Sequence, residues 1–253
     1  MKILITGNKG FVGRHLEKEL KRLDHEVIGY DIGDTLPTKR VDLVFHLAAN
    51  VNAFESVRKP FLAIENVDLM FEILEWMRQT GSNQIIYASS REIYSLVNPY
   101  GASKLMGEIL LEPYCKTFGM GAISVRLANI FGKGNLQHRF IEQTISKAKK
   151  NEPIEVFGGN EKIMNFVHIN ECVKYLIHFI PQIEMGKNEI REVASVESYR
   201  LSLIAQIIID MLHSKSQIII KDNRAGETLA YEPHLTENLV SVDLRKAIKR
   251  CLK

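Results

Sequence analysis

Cysteine is scarce, with three in 253 residues, and Cys115, Cys172 and Cys251 lie far apart without any C-x-x-C spacing. Neither a disulfide framework nor a zinc site is suggested, and no metal is expected. Long apolar runs are missing as well. Nowhere do about 18 apolar residues follow one another, and the opening MKILITG is too short for the apolar core of a signal peptide. No membrane partner is expected, and unpaired cysteines fit a reducing, cytoplasmic setting. Charge of one sign is also in short supply. The net charge is +3, and the densest basic patch, Lys147, Lys149 and Lys150, reads as a solvated helix end, so no nucleic-acid partner is expected. Internal repeats and low-complexity linkers are absent. What remains is ordinary for a globular chain, 45% apolar and 25% charged, and long enough for one large α/β domain with a small appended lobe.

Lys2 to Thr6 is a β-branched and leucine-rich run ended by Gly7, and beyond Gly13 the leucines 16, 20 and 23 recur at helical spacing. Strand-like runs follow at Glu26 to Tyr30, Val41 to Leu47, Gln84 to Ala88 and Gly121 to Leu127. Helical patterns lie between them at Phe61 to Gln79 and from Tyr100 to about Glu112, where Pro113 is expected to kink or end the helix. Alternating strands and helices point to a Rossmann-type, doubly wound parallel sheet. Past Phe131 the rhythm changes to a glycine turn, a helix over Arg139 to Lys150, and a strand, turn and returning strand from Pro153 onward.

TGNKGFVG, Thr6 to Gly13, places glycines 7, 10 and 13 between a strand and a helix. The first permits a tight turn, the second lets backbone N–H groups approach a pyrophosphate, and the third lets the helix lie close on its strand. The helix N-terminus then faces the anion. Asp31 closes the second strand, where a carboxylate accepts hydrogen bonds from ribose hydroxyls and repels a 2′-phosphate. Together these predict NAD rather than NADP.

Tyr100 and Lys104 lie four apart on one helix face, after a strand that ends in Ser89 and Ser90. A phenol titrating at about 10 is a poor base at neutral pH. A neighbouring ammonium favours the phenolate, and a serine at the strand end would orient the same substrate oxygen. Only nine residues separate Ser90 from Tyr100. A strand-to-helix connection of that kind is normal in α/β folds, so the three can still meet.

These stretches, with HLAA (46–49), ASSREIY (88–94), PYGASKLMGE (99–108), RLANIFG (126–132), PIEVFGGNEKIMNFVHINE (153–171) and RAGE (224–227), resemble the extended short-chain dehydrogenase/reductase family, in particular its NAD-dependent nucleotide-sugar epimerases and dehydratases. The resemblance covers nearly the whole chain. It implies a Rossmann-type α/β domain over 1–128 and 165–195 that binds NAD, and a substrate-binding lobe over 129–164 and 196–253. It implies catalytic roles for Ser90, Tyr100, Lys104 and Glu92. Cofactor contacts are implied at Gly7, Lys9, Gly10, Phe11, Val12 and Gly13 in the first loop. Further contacts fall at Asp31, Leu47, Ala48, Ala49, Asn66 and Ala88, with Tyr100 and Lys104. Substrate would meet Ser89, Asn129, Phe157 and Arg224, while His168 and Glu171 suit structural roles as well as functional ones. The implied reaction is transient oxidation at C4 of a nucleotide sugar, by a homodimer built on the helices near 61–79 and 100–112. Two alternatives stay open: a 4-keto-sugar reductase using NAD(P)H, and a catalytically weak NAD-binding regulator.

The chain also departs from the family. Arg91 stands where dehydratases that remove a 6-hydroxyl often carry an acid, and an arginine cannot protonate a leaving group usefully. Arg91 and Glu92 equally fit a surface ion pair. Between Asp31 and Val41 there is no room for a third strand, and the loop between Tyr94 and Pro99 is short, so a pocket rim that is more open, or completed by a partner, is expected. Met164 and Asn165 replace the family's usual Arg-Asp.

Overall fold

A computed structural model describes residues 1–135, 139–159, 161–229, 239–240 and 243–252. Asn160, inside one of the family-like stretches, lies outside the described residues. In chain order the first half contains β1 (Lys2–Thr6), α1 (Phe11–Arg22), β2 (Glu26–Tyr30), β3 (Leu43–His46), α2 (Ala53–Arg58), α3 (Phe61–Thr80), β4 (Gln84–Ser90), α4 (Pro99–Phe118) and β5 (Gly121–Leu127). The second half adds β6 (Asn129–Phe131), α5 (Phe140–Lys149), β7 (Ile154–Phe157), β8 (Ile163–His168), α6 (Ile169–His178), β9 (Asn188–Ser195), β10 (Ser198–Arg200), α7 (Leu201–Leu212), β11 (Ile218–Lys221), β12 (Leu239–Val240) and α8 (Leu244–Leu252).

Seven strands form one sheet in the order β12-β9-β5-β4-β3-β1-β2, and every neighbouring pair runs parallel. Parallel strands are covered on both faces, which is why KILIT and LVFH are almost wholly apolar and buried. Leu16 and Leu20 of α1 join Leu176 and Phe179 against one face. On the other face Met70, Ile73, Leu74 and Met77 of α3 meet Leu111 of α4. Each such side chain contributes about 1.5–3 kcal/mol of transfer free energy. A third apolar cluster joins α5, α7 and α8 over two small sheets, β10-β8-β6 and β11-β7.

From β1 the chain moves one way to β2 and then back past β1 to β3, so the winding direction reverses between β1 and β3. Loops on either side of such a reversal splay apart and leave a crevice at the carboxyl ends of the strands. The glycine loop after β1, residues 47–49 after β3 and Ser90 at the end of β4 all lie on that side. As the short 31–41 interval predicts, no strand lies between Asp31 and Asp42, and among the described residues β2 forms the sheet edge.

One part of a local expectation, that Pro113 ends its helix, is not met. Helix α4 does not end or break at Pro113 but runs through it to Gly119, a left-handed cap at φ 67°. Proline removes one N–H and pushes on the carbonyl four residues back. Here Pro113 and Ile109 both face outward, so the freed carbonyl of Ile109 is on the solvent side. Leu111, Tyr114 and Cys115 are buried on the opposite face, and their packing carries the helix past the proline.

Candidate active site

The first loop is built by contact between backbones. Gly7 has φ 72°, and a Cβ there would lie 2.8 Å from the Ala48 nitrogen; at Gly13 it would lie 2.1 Å from the Gly7 carbonyl oxygen. The turns after β1 and β3 therefore touch, and α1 seats directly on the loop. Gly10 is the N-cap of α1 and no side chain caps it, which leaves the first-turn N–H groups to the crevice. This is the observation that fits a dinucleotide pyrophosphate. At the far end the Asp31 carboxylate accepts the Lys9 N–H at 3.1 Å, and Lys9 Nζ pairs with Asp34 at 3.0 Å. Two carboxylates thus stand where the adenosine ribose would lie, so the residues fit NAD and oppose an added phosphate.

Behind the loops runs a buried column. Thr6 Oγ1 contacts His46 Nδ1 at 2.8 Å and accepts the Ala48 N–H at 3.2 Å. The His46 ring stacks on Tyr87 with centroids 5.7 Å apart, and Lys104 Nζ sits 4.9 Å from the centroid of Tyr87. Burial, with the nearby Lys104 charge, lowers His46 to about 3, so its ring is neutral. Asn66 accepts the Asn50 N–H at 2.7 Å and donates to Ser103 at 3.1 Å. Its side chain ties the 47–50 turn to the helix that carries Tyr100.

Ser90 and Tyr100 meet: the Ser90 side chain bears on the Tyr100 phenol, and the Tyr100 N–H is anchored on Ser56 at 3.1 Å. Burial raises the phenol above its ordinary value, while the Arg139 charge and the Ser90 hydrogen bond act in the opposite direction. Lys104 reaches the same strand end but donates to the Ala88 carbonyl at 2.8 Å, and burial lowers its ammonium to about 7. Arg139, whose guanidinium donates to the Val51 carbonyl at 3.2 Å, is therefore a functional candidate that sequence reading missed. It approaches from the start of α5, with no motif to mark it.

Glu92 accepts Asn98 Nδ2 at 2.8 Å and Thr228 Oγ1 at 3.1 Å. Asn98 also donates to the Gly226 carbonyl at 2.9 Å, and Ser95 contacts Thr228 at 2.7 Å. The short 94–99 connection is therefore lined by residues 226–228 of the same chain. Arg91 does not form the surface ion pair that its position also suited. It is buried, and its Nε contacts Glu192 at 2.6 Å, with the two side chains 3% and 0% exposed. Ser89 is turned away from Tyr100 and donates to Glu108.

On the other side of the pocket the Arg224 guanidinium lies between the rings of Phe54 and Phe157, 5.1 and 4.2 Å from their centroids, and pairs with Glu227 at 2.7 Å. Glu227 is also paired with the buried Lys162 at 2.6 Å. Asn129 donates to the Asn165 carbonyl at 3.1 Å. Asn165 in turn bridges β8 to Ser195, Glu197 and Ser198, which gives this departure from the family a structural task. His168 caps α6 by accepting the Asn170 N–H at 3.2 Å, and burial lowers it to about 4.

The chain is similar to known proteins over nearly its whole length. An uncharacterized UDP-glucose epimerase of Bacillus subtilis is 27% identical over 90% of this chain and 87% of its own length. A putative UDP-glucose 4-epimerase of Methanocaldococcus jannaschii is 25% identical over 98% and 96%. A crystal structure of a UDP-galactose 4-epimerase superposes with a TM-score of 0.85 at 25% identity, covering 100% of this chain and 97% of the other. The model of the NAD dependent epimerase/dehydratase family matches residues 3–37 and 30–194, more than half of the chain, and the chain belongs to that family.

Proposed function

We propose that the enzyme acts on a nucleotide sugar and interconverts epimers at C4, with residues 1–128 and 165–195 holding NAD and residues 129–164 and 196–253 holding the substrate. The observation that carries this reading is the buried Tyr100 beside Ser90 and Lys104, at the end of β4 and next to an uncapped glycine loop. When bound, NAD supplies the hydride acceptor and donor. Tyr100 takes and returns the proton of a sugar hydroxyl, Ser90 orients that oxygen, and Lys104 is placed to favour the phenolate as its ammonium. Arg224, between two rings, suits the pyrophosphate of the substrate, and Phe157 suits its base. A C4 epimerisation is favoured over removal of a 6-hydroxyl because the residue between Ser90 and Glu92 is a buried arginine, not an acid.

Incubation of the purified protein with NAD and UDP-glucose or UDP-galactose should convert one sugar nucleotide into the other, detected by NMR of the anomeric protons. If no UDP- or dTDP-hexose in a panel is altered, the reading fails. Asp31→Ala should weaken NAD binding roughly tenfold, the loss of one hydrogen bond to a charged acceptor, and NADP binding much less. Calorimetric titration with both cofactors checks this, and an unchanged NAD affinity would contradict the assignment.

We further propose a homodimer. Ile64 and Phe71 of α3 and Met106 and Ile109 of α4 are large apolar side chains left 44% to 59% exposed on two adjacent helices. Light scattering should give twice the chain mass, and Ile109→Asp should halve it; a monomeric wild type at micromolar concentration would refute the dimer. Among the described residues no helix is long and apolar enough to cross a membrane, and a cytoplasmic setting is proposed on the free cysteines.

A further inference from the structure

Arg91 and Glu192 form an ion pair with both side chains almost wholly out of water. Such a pair is weak evidence for stability, because desolvating two charges offsets most of their attraction, and it calls for another role. The pair belongs to a longer chain of contacts. Glu192 accepts the Tyr94 hydroxyl at 3.1 Å, and the Tyr94 oxygen accepts Arg126 Nη1 at 3.1 Å. Arg126 grips Glu108 with two N–H groups at 3.0 and 2.7 Å, and Glu108 accepts Ser89. The chain begins at Ser89 and ends at Arg91, the two neighbours of Ser90. It passes through α4, β5 and β9 below the crevice. Both neighbours of Ser90 are thereby clamped inward, while the Ser90 hydroxyl, beside Tyr100, accepts the Glu92 N–H at 3.2 Å.

We propose that Arg91 and Glu192 are positioning residues, which hold the turn after β4 so that the Ser90 hydroxyl stays on Tyr100. Neither touches the reacting atoms. The inference rests on the proposed role of Ser90 and Tyr100, but it concerns a contact that exists without substrate.

Its test is therefore made first on the substrate-free protein. Removing one partner leaves a lone buried charge, so the variant is the pair Arg91→Met with Glu192→Leu, which fills similar volume without charge. Tyr100 titration is followed by ¹³C NMR of the tyrosine ring, assigned with Tyr100→Phe. Arg139 and Glu92, the other charged groups that act on Tyr100, are unchanged in this variant. The Ser90 side chain favours the phenolate, so displacing it should move the Tyr100 midpoint upward. With substrate, kcat should fall about tenfold to a hundredfold with KM within about twofold, as for a misplaced catalytic group. Arg91→Lys, which keeps the charge opposite Glu192, should restore kcat to within about threefold of wild type. A folded double variant with an unchanged Tyr100 titration overturns the proposal whatever the substrate proves to be. If that variant does not fold, Arg91→Gln with Glu192→Gln carries the same two readings. Absence of turnover in the wild type would count against the epimerase reading and leave the titration result standing.

Discussion

Replacing Tyr100 by phenylalanine should lower kcat by about 10²- to 10⁴-fold, the usual contribution of a positioned acid or base, while the chain still folds and binds NAD. The ring is buried, and the residue's backbone N–H, not its hydroxyl, is the group anchored on Ser56. Removing the hydroxyl therefore costs its interaction with Ser90 and little packing. The pH dependence follows from the environment. Burial raises the phenol, so at neutral pH the ligand-free protein holds it protonated. A base must lose its proton before it can act, so kcat/KM should climb as pH rises toward the Tyr100 midpoint and fall away on the acid side. In Tyr100→Phe that climb should disappear. Stopped assays across pH 6 to 10, with NAD content checked on the same samples, decide the matter. A variant keeping more than about a tenth of wild-type turnover would exclude Tyr100 as the base.

Lys104→Met should give a protein that is inactive and more stable at neutral pH. In the unfolded chain the ammonium titrates near 10.4; in the folded protein burial lowers it to about 7. Between those values the unfolded state keeps a proton that the folded state gives up. Stability therefore rises with pH across that window, and the deficit is complete below about 7. Methionine fills the same channel without charge and forgoes only the hydrogen bond to the Ala88 carbonyl. The expected net gain at pH 7 is about 3 kcal/mol, or roughly 6–12 °C in Tm for a chain of this size, shrinking toward pH 10. A variant less stable than wild type at pH 7 would show that the lysine is not held at a cost. The stability that Lys104 forgoes is consistent with a group kept for its chemistry.

The parts of the molecule legible in the sequence are those whose physics is local. The glycine loop can be read because a turn, a close approach and a helix start fall within eight residues, and Gly7 and Gly13 do both make contacts that a Cβ would prevent. The edge position of β2 follows from simple chain length between Asp31 and Val41. Pro113 misled because a local rule was applied without knowing which face of α4 met solvent. Arg139 and Thr228 were invisible for a different reason. They reach Tyr100 and Glu92 across the fold, and no periodicity or spacing in one sequence marks such a meeting. Arg91 was singled out correctly as unusual, but its partner, Glu192, lies a hundred residues on in a strand whose burial the sequence did not announce.

The contacts of Asn98 with Gly226, Ser95 with Thr228 and Glu92 with Thr228 join residues 128, 133 and 136 positions apart. On a ribosome, at about 5–20 residues per second, Ser90 and Tyr100 emerge many seconds before the residues that close over them. During that interval the strands from β1 to β5 can assemble by pairing with one another, because their partners in the sheet order are already made, apart from β9 beside β5. The pocket wall cannot. The residues of the glycine loop and the end of β4 are thus made before residues 226–228, so closing this side of the crevice falls to the late part of the chain.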